Sequence, residues 1–105
     1  MIEFDAQIEH HFGAGIYIRK AVIPARHFVV SHMHEYDHFG ILASGSVIVS
    51  VDGEHERFDA PAVITIKAMK AHSIEAVTNV TWLCVHATNE TSIDDIDAAL
   101  IRRVA

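Results

Sequence analysis

Apolar residues along the chain occur mainly in short runs, rich in valine and isoleucine, which turn-forming residues separate at short intervals. Such runs are typical of β-strands joined by tight turns, and the intervals are too short for the crossover helices of a parallel sheet. The sequence therefore predicts an all-β sandwich or barrel with antiparallel strands. We place its strands over residues 15–23, 28–34, 39–43, 47–51, 55–59, 62–66, 72–77 and 80–87.

Two positions between these strands carry residues that favour tight turns. Asp52-Gly53 separates two strand-like runs, and this dipeptide tolerates the positive φ angles of a two-residue hairpin turn. Asn79 lies between the last two predicted strands and also accepts left-handed backbone geometry. We therefore expect antiparallel hairpins at both positions.

The periodicity changes near the C-terminus, from that of strands to that of a helix. Ser92 and Asp95 resemble a capping box, and Arg102 and Arg103 close the segment, as the helix dipole favours. The sequence predicts one amphipathic helix over about residues 92–104, packed on the barrel or on a partner chain. Its apolar side chains fall at helical spacing: Ile93, Ile96, Leu100, Ile101 and Val104.

Length and composition limit the chain to a few classes of protein. Its 105 residues correspond to a single domain, with the barrel over about residues 15–88. A net charge of −6 and the lack of a basic cluster argue against nucleic acid as a partner. No apolar run reaches the length of a membrane span, and the first residues do not resemble a signal peptide. With Cys84 as the only cysteine, we expect a cytoplasmic protein without disulfides and without a membrane partner.

Histidine is the most unusual feature of the composition, with nine residues in the chain. His32 and His34 are two apart on a predicted strand, so their rings project from the same face. His38 can return to that face after a bend. His72 begins a later strand, which an antiparallel barrel can bring across from the first group. The pattern indicates that three imidazoles converge, with a fourth joining them if the barrel closes in this way.

Neutral imidazole is a common ligand for divalent transition metals, which makes a metal site the main interpretation of these histidines. The alternative is a set of hydrogen-bonded strand histidines with no ion. Glu35 and Asp37 lie beside the histidines and are candidates either to replace His38 as a ligand or to orient the imidazoles. We predict one divalent transition metal, of Fe, Mn, Ni, Co, Cu or Zn. The predicted ligands are His32, His34, His38 and His72.

The same segment resembles the first sequence motif of the cupin superfamily. In that motif a glycine precedes a His-x-His pair, and a glutamate and a second glycine follow. His32, His34, His38 and Gly45 keep this spacing, with His38 in the place of the glutamate. Arg26 stands where the leading glycine is usual. The resemblance implies that these three histidines bind the metal.

The second cupin motif carries the fourth ligand, and the segment from Pro61 to His72 follows the course of that motif into a histidine. The resemblance implies that His72 completes the ligand set, and it covers about residues 18–87. The positions that frame this motif in the family read Pro61, Lys67, Met69 and Ala76 here.

The resemblance implies a small antiparallel β-barrel of the cupin type, also called a double-stranded β-helix or jelly roll, and a homodimer. Metal-bearing cupins include dioxygenases, isomerases, decarboxylases and lyases that act on small organic acids, sugars or diketone-like substrates. A glutamate ligand cancels one unit of the ion's charge. Four neutral imidazoles instead leave the full charge of +2, which favours an anionic ligand.

Several residues outside the ligand set are candidates for the pocket. His86 shares one face of the last strand with Trp82 and Cys84, and is either a base, a group that orients a ligand or a packed core residue. We expect Cys84 to be a buried apolar group and not a nucleophile. His10 and His11 are adjacent and point to opposite faces, so we expect a surface or subunit-contact role. Proton transfer is assigned to His86, Tyr17 or Tyr36, and further pocket candidates are Arg19 and Phe28.

These features together predict a metal-dependent enzyme, dioxygenase-like or lyase- or isomerase-like, that acts on a small anionic organic molecule. The alternatives are a non-catalytic module that binds or senses a small ligand, and a barrel with a purely structural metal. A structural metal has no open coordination position, a binding module leaves its ligand unchanged, and an enzyme consumes it.

Overall fold

The computed structural model describes residues 2–3, 7–31 and 36–88, which form ten strands in two sheets. No helix occurs within these ranges, and none is therefore long and apolar enough to cross a membrane. The helix predicted over residues 92–104 lies outside the described residues. The strands are β1 (Ile2–Glu3), β2 (Gln7–Gly13), β3 (Ile16–Ile23), β4 (His27–Ser31), β5 (His38–Ser44), β6 (Ser46–Val51), β7 (Glu54–Asp59), β8 (Ala62–Ile66), β9 (His72–Ala76) and β10 (Val80–Ala87).

The two sheets have five strands each. Sheet A has the order β1-β4-β9-β6-β7, and sheet B has the order β2-β3-β10-β5-β8. All neighbours pair antiparallel except β1 and β4, which pair parallel. From β3 onward the chain changes sheet at every connection except that between β6 and β7. The predicted all-β, antiparallel architecture is confirmed.

Two hairpins join strands within one sheet. Asp52 and Gly53 connect β6 to β7 with φ angles of 51° and 80°, which confirms the turn predicted at this dipeptide. A second two-residue turn, at Ala14 and Gly15, connects β2 to β3 with φ angles of 53° and 71°. Positive φ angles at both turn positions match the twist of the flanking strands, so both turns fit a hairpin.

The hairpin predicted at Asn79 is wrong, because β9 belongs to sheet A and β10 to sheet B. The turn between them carries the chain from one sheet to the other, and Asn79 does not adopt a positive φ angle. Its side-chain Oδ1 instead accepts a hydrogen bond of 3.0 Å from the Ala25 amide. Gly45 turns the chain beside it with φ 89°, where a Cβ atom would lie 2.2 Å from the Asn79 carbonyl oxygen. This close approach explains the glycine at the end of the first motif.

Strand β2 is absent from the strands predicted by sequence, which place the start of the barrel at residue 15. Its residues alternate between half-buried and exposed. Ile8, His10 and Phe12 occupy the half-buried positions. One of the three positions on its buried side is an imidazole and another is a phenyl ring, so the strand has little of the Val/Ile enrichment on which the prediction rests.

The core lies between the two sheets and is built by the alternation of more and less buried residues along β5, β6, β8, β9 and β10. In β10, for example, alternate residues are buried from Val80 to His86, and their neighbours are half-buried. Side chains at alternate positions of a strand share one face, so β10 directs this set inward. The core consists of Ala21, Ile23, Leu42, Val47, Val49, Ile64, Ile66, Ile74, Ala76, Val80, Trp82 and Cys84.

A glycine in β5 makes room for the largest core side chain. A Cβ atom on Gly40 would lie 2.2 Å from Cζ2 of Trp82, whose side chain is 2% exposed. Protein interiors are close-packed, so this ring cannot move aside without displacing its neighbours. The indole also donates a hydrogen bond of 3.3 Å from Nε1 to the Cys84 thiol. Gly40 and Trp82 therefore fix the packing next to the first residues of β5.

We expect the substitution Gly40→Ala to lower the free energy of unfolding by about 1–3 kcal/mol, because the added methyl group overpacks the core. Denaturant unfolding measures this loss. The same substitution in a Trp82→Leu background should cost clearly less, because the smaller side chain vacates the space. An equal cost in both backgrounds would show that the contact with the indole is not the cause.

Candidate functional site

Two of the predicted metal ligands lie on facing sheets. His38 is the first residue of β5 in sheet B and is 7% exposed, and His72 is the first residue of β9 in sheet A and is 3% exposed. Ser31, the last residue of β4, pairs with His72. The connection that carries His32 and His34 therefore begins beside His72 and ends at His38. Both of these histidines lie outside the described residues, so their predicted role as ligands stays a prediction.

The His38 ring is the first of a row of rings across the inner face of sheet B. It stacks on His86, with ring centroids 4.2 Å apart and an angle of 27° between the planes. His86 in turn lies opposite Tyr17, at a centroid distance of 5.9 Å, and Tyr17 stacks on Phe12 at 4.9 Å. Tyr17 and His86 are buried, at 3% and 6% exposure. Two of the three residues predicted for proton transfer thus lie together, in contact with a predicted ligand.

His10 extends this row toward the edge of the sheet and is half-buried, not on the surface, whereas the subunit-contact role expected as the alternative stays a prediction. Its Nδ1 atom lies 2.7 Å from the Tyr17 hydroxyl, and the two groups share a hydrogen bond. The alternation of β2 turns His10 toward the same face as Phe12 and leaves His11 exposed, with its ring 3.6 Å from Glu9. The sequence-based strand positions begin at residue 15 and leave out β2, the strand that orients His10. The signal was present as polar residues at every second position of residues 7–11.

Asp37 links the two elements that begin with the buried histidines. Its carboxylate accepts a hydrogen bond of 2.7 Å from the Ala68 amide and lies 3.6 Å from the Lys67 ammonium group. The Ala68 hydrogen bond, followed by Lys67, holds the pKa of this carboxyl below its usual value. Asp37 therefore ties the residue before His38 to the turn that leads to His72. Glu35, the other acidic candidate, lies outside the described residues.

Burial favours the neutral form of His72. Removal from water lowers the pKa of this imidazole below 6.5, against the opposite effects of a hydrogen bond with the Lys70 backbone and of the Asp52 carboxylate. A metal binds imidazole only in its neutral form, so the environment of His72 suits ligation.

A pocket of about 380 Å³ opens between β7 and β8, and His72 contributes to its wall. This volume is in the range of small-molecule sites. The rest of the wall is apolar inside and charged at the rim, where Lys70 and Asp52 form an ion pair of 3.0 Å. The apolar lining is Val49, Val51, Phe58, Ile64 and Ile66, and the polar lining is Asp52, Glu54, His55, Glu56, Thr65, Lys67 and Lys70.

The remaining candidates are distributed between the two faces of the sheets. Trp82 and Cys84 point inward, as expected. Tyr36 is 61% exposed and is not in contact with the ring row, so its role in proton transfer stays a prediction. Phe28 is half-buried on the outer side of β4, because the next residue, Val29, packs on the core and adjacent residues of a strand face opposite sides. Arg19 has the inward register of Tyr17 but is exposed.

The donor set fits a divalent transition metal. His38 and His72 are buried imidazoles on the two facing sheets, and the sequence between β4 and β5 contains two more histidines outside the described residues. Within the described ranges, no three His, Cys, Asp or Glu side chains lie close enough to hold an ion by themselves. His32 and His34 lie outside the described residues, and their part in a metal site stays a prediction.

Comparisons with known proteins agree with this fold. No family model and no curated protein matches the sequence. Among solved structures, a cupin 2 domain-containing protein from Halorhodospira halophila aligns with a TM-score of 0.69 and 16% identity, over 89% of this chain and 74% of that one. An RmlC-like cupin family protein with a double-stranded β-helix fold from Methanocaldococcus jannaschii aligns with a TM-score of 0.67 and 12% identity, over 80% and 81%. A cupin superfamily protein from Desulfitobacterium hafniense aligns with a TM-score of 0.64 and 14% identity, over 78% of each chain. The chain has the cupin fold, which confirms the resemblance at the level of architecture.

The pKa of His72 leads to a prediction for stability without metal. Between the lowered pKa of the folded state and the value near 6.5 of the unfolded chain, the unfolded chain binds more protons. The free energy of unfolding should therefore fall as the pH drops below about 6.5. Denaturant unfolding of the chelator-treated protein measures the free energy of unfolding at pH 7.5 and at pH 5. The decrease in this free energy between the two pH values should be smaller in His72→Gln than in the wild type. The exposed histidine variant His55→Gln is the control, and an equal loss in His72→Gln and the wild type would refute the assignment.

Cys84 should be chemically inert in the folded protein. Cys84 is 8% exposed, and burial raises the pKa of its thiol. A disulfide reagent reacts with the thiolate, so we expect labelling of the native chain to be about 100-fold or more slower than labelling in denaturant. Rapid native labelling would contradict the burial of this side chain.

Proposed function

We propose that this protein is a divalent-metal-binding cupin, in which His32, His34, His38 and His72 hold the ion and a small anionic organic molecule is the substrate. The observation that carries the proposal is the burial of His38 and His72 on facing sheets. The connection that contains His32 and His34 starts after Ser31, the residue that pairs with His72, and ends at His38. Buried imidazoles without such a role are costly, because a polar group loses its contacts with water.

The charge of the donor set supports an anionic substrate. Four neutral imidazoles leave the charge of a divalent ion uncompensated, so a carboxylate or enolate is attracted to it. When bound, the metal supplies Lewis acidity toward oxygen atoms of the substrate. The reaction class, dioxygenase-like or lyase- or isomerase-like, follows from the cupin resemblance.

The chain's own residues supply orientation and a route for a proton. His86 stacks on His38 and restricts the orientation of that ring. The Tyr17 hydroxyl, held by His10, is the polar end of the row, and a phenol or an imidazole in such a position serves as a general acid or base. Tyr17, His38 and His86 are 3%, 7% and 6% exposed, so bulk water is largely excluded from these rings.

A non-catalytic binding or sensing module is the second candidate function. The observation that favours it is the composition of the ring row, which contains no carboxylate in the part of the chain that the structure describes. The small-molecule partner is the same in both proposals. The homodimer expected from the resemblance stays a prediction.

Elemental analysis of the untagged protein tests the metal site. We expect about one equivalent of a transition metal per chain, and loss of most of it in His34→Ala and His72→Ala. The variant His38→Glu should retain the metal, because glutamate is the usual cupin ligand at this position. His55→Ala removes an exposed imidazole and should leave the metal content unchanged.

Two results would contradict this proposal. No bound metal after reconstitution with Fe, Mn, Ni, Co, Cu or Zn would exclude a metal-dependent function. Equal metal loss in His38→Glu and His34→Ala would remove His38 from the ligand set. Turnover of a small acid by the loaded protein then separates an enzyme from a binding module.

A further inference from the structure

Arg19 has an unusual position for an arginine. It lies in β3 between two buried residues of the same face, Tyr17 and Ala21, and pairs with Cys84 of β10 and His10 of β2. Its register directs it to the inner face of sheet B, yet its side chain is exposed. The inner face of the β2–β3 hairpin is therefore open to solvent at this point, and a guanidinium group lies in the opening.

Arg19 also lacks the ion pairs that other basic residues have. Arg19 forms neither a hydrogen bond nor an ion pair with any described residue. Four other lysine or arginine side chains each lie within 3.6 Å of a carboxylate. Among the arginines that the structure describes, Arg26 also lacks such a partner, and it lies in an exposed turn between β3 and β4. The paired basic residues are Lys20, Arg57, Lys67 and Lys70.

Two polar groups flank Arg19 on the same face. Tyr17 is two residues along β3, a separation of about 7 Å between Cα atoms, and His10 is directly opposite on β2, at about 5 Å. The imidazole and the phenol share a hydrogen bond of 2.7 Å, which holds the Tyr17 oxygen beside the side chain of His10, the residue that pairs with Arg19. A guanidinium group presents two parallel N–H donors that match the two oxygens of a carboxylate. A hydroxyl next to it supplies a third donor.

We propose that Arg19, with Tyr17 and His10, forms a subsite that binds a carboxylate group of a small organic acid. The inference deepens the proposed function, and it rests on that proposal for the class of substrate. It adds the place where the protein binds the end of the substrate that is remote from the metal. Tyr17 and His38 are two strands apart, or about 10 Å between Cα atoms, so the bound acid lies beside the row that leads to the predicted ligands.

Binding of malonate to the full chain tests this subsite. Amide chemical shifts are followed by NMR during a titration at constant ionic strength, both with the protein as purified and after treatment with a chelator. We expect saturable binding in both samples, with the largest shifts at His10, Tyr17 and Arg19. Arg19→Gln should weaken binding about 10-fold or more, because it removes a charge-assisted pair of hydrogen bonds.

Arg26→Gln is the matched control, since it removes the same charge from an exposed turn and should leave the affinity unchanged. Tyr17→Phe should weaken binding by a smaller factor than Arg19→Gln. Thermal unfolding of each variant, monitored by circular dichroism, establishes that it is folded.

Three outcomes would overturn the subsite. They are the absence of saturable malonate binding, an unchanged affinity in Arg19→Gln, and an equal loss in Arg19→Gln and Arg26→Gln, which would indicate a general effect of charge. The failure of the metal proposal has a different signature. In that case the protein takes up no metal, while the chelator-treated chain still binds malonate in a manner that depends on Arg19.

Discussion

Burial of three imidazole rings between sheets of aliphatic side chains is the constraint on which the rest of this structure depends. His38, His72 and His86 are the polar or charged side chains buried within the described ranges. A buried polar group without compensation costs about 1–3 kcal/mol. Here the cost is limited by local contacts, since His38 and His86 stack on each other and His72 bonds to the Lys70 backbone. Three such groups at one end of a small barrel are more than packing requires.

The strand register determines whether these rings meet. In sheet B, β10 pairs with β3 on one side and with β5 on the other, so His86 lies between Tyr17 and His38. A slip of one residue would turn His86 outward and replace it by an aliphatic neighbour. The register on the β5 side shifts between Thr81 and Trp82, at the other end of the strand, so the irregularity leaves the ring row intact. The close contact of Gly40 with the indole fixes this register from the core side.

The sequence predicts local features of this fold well and long-range features poorly. The Asp52-Gly53 turn is correct because the two residues alone decide the hairpin geometry. The turn at Asn79 looks similar in sequence, but which sheet the next strand joins depends on how the barrel closes, and no local pattern contains that information. The site shows the same division. The burial of His72 and the inward direction of His86 follow from alternation, whereas the contact of His10 with Tyr17 depends on the pairing of β2 with β3.

The proposed recognition of an anion has to rest on a local contact, because the overall charge of −6 repels small acids. Glu54 and Glu56, which have no ion pair with a described residue, line the pocket at the β7–β8 edge. Strand β3 is three strands from β8, or about 14 Å, which exceeds the screening length of about 8 Å at physiological ionic strength. A guanidinium group in direct contact with a carboxylate is screened far less than these distant charges are. Glu9 of the same hairpin lies on the outer face, where it is paired with Lys20 at 3.5 Å. The charge that an acid meets on the inner face of the β2–β3 hairpin is therefore that of Arg19, and the acidic pocket on the other side of His38 does not cancel it.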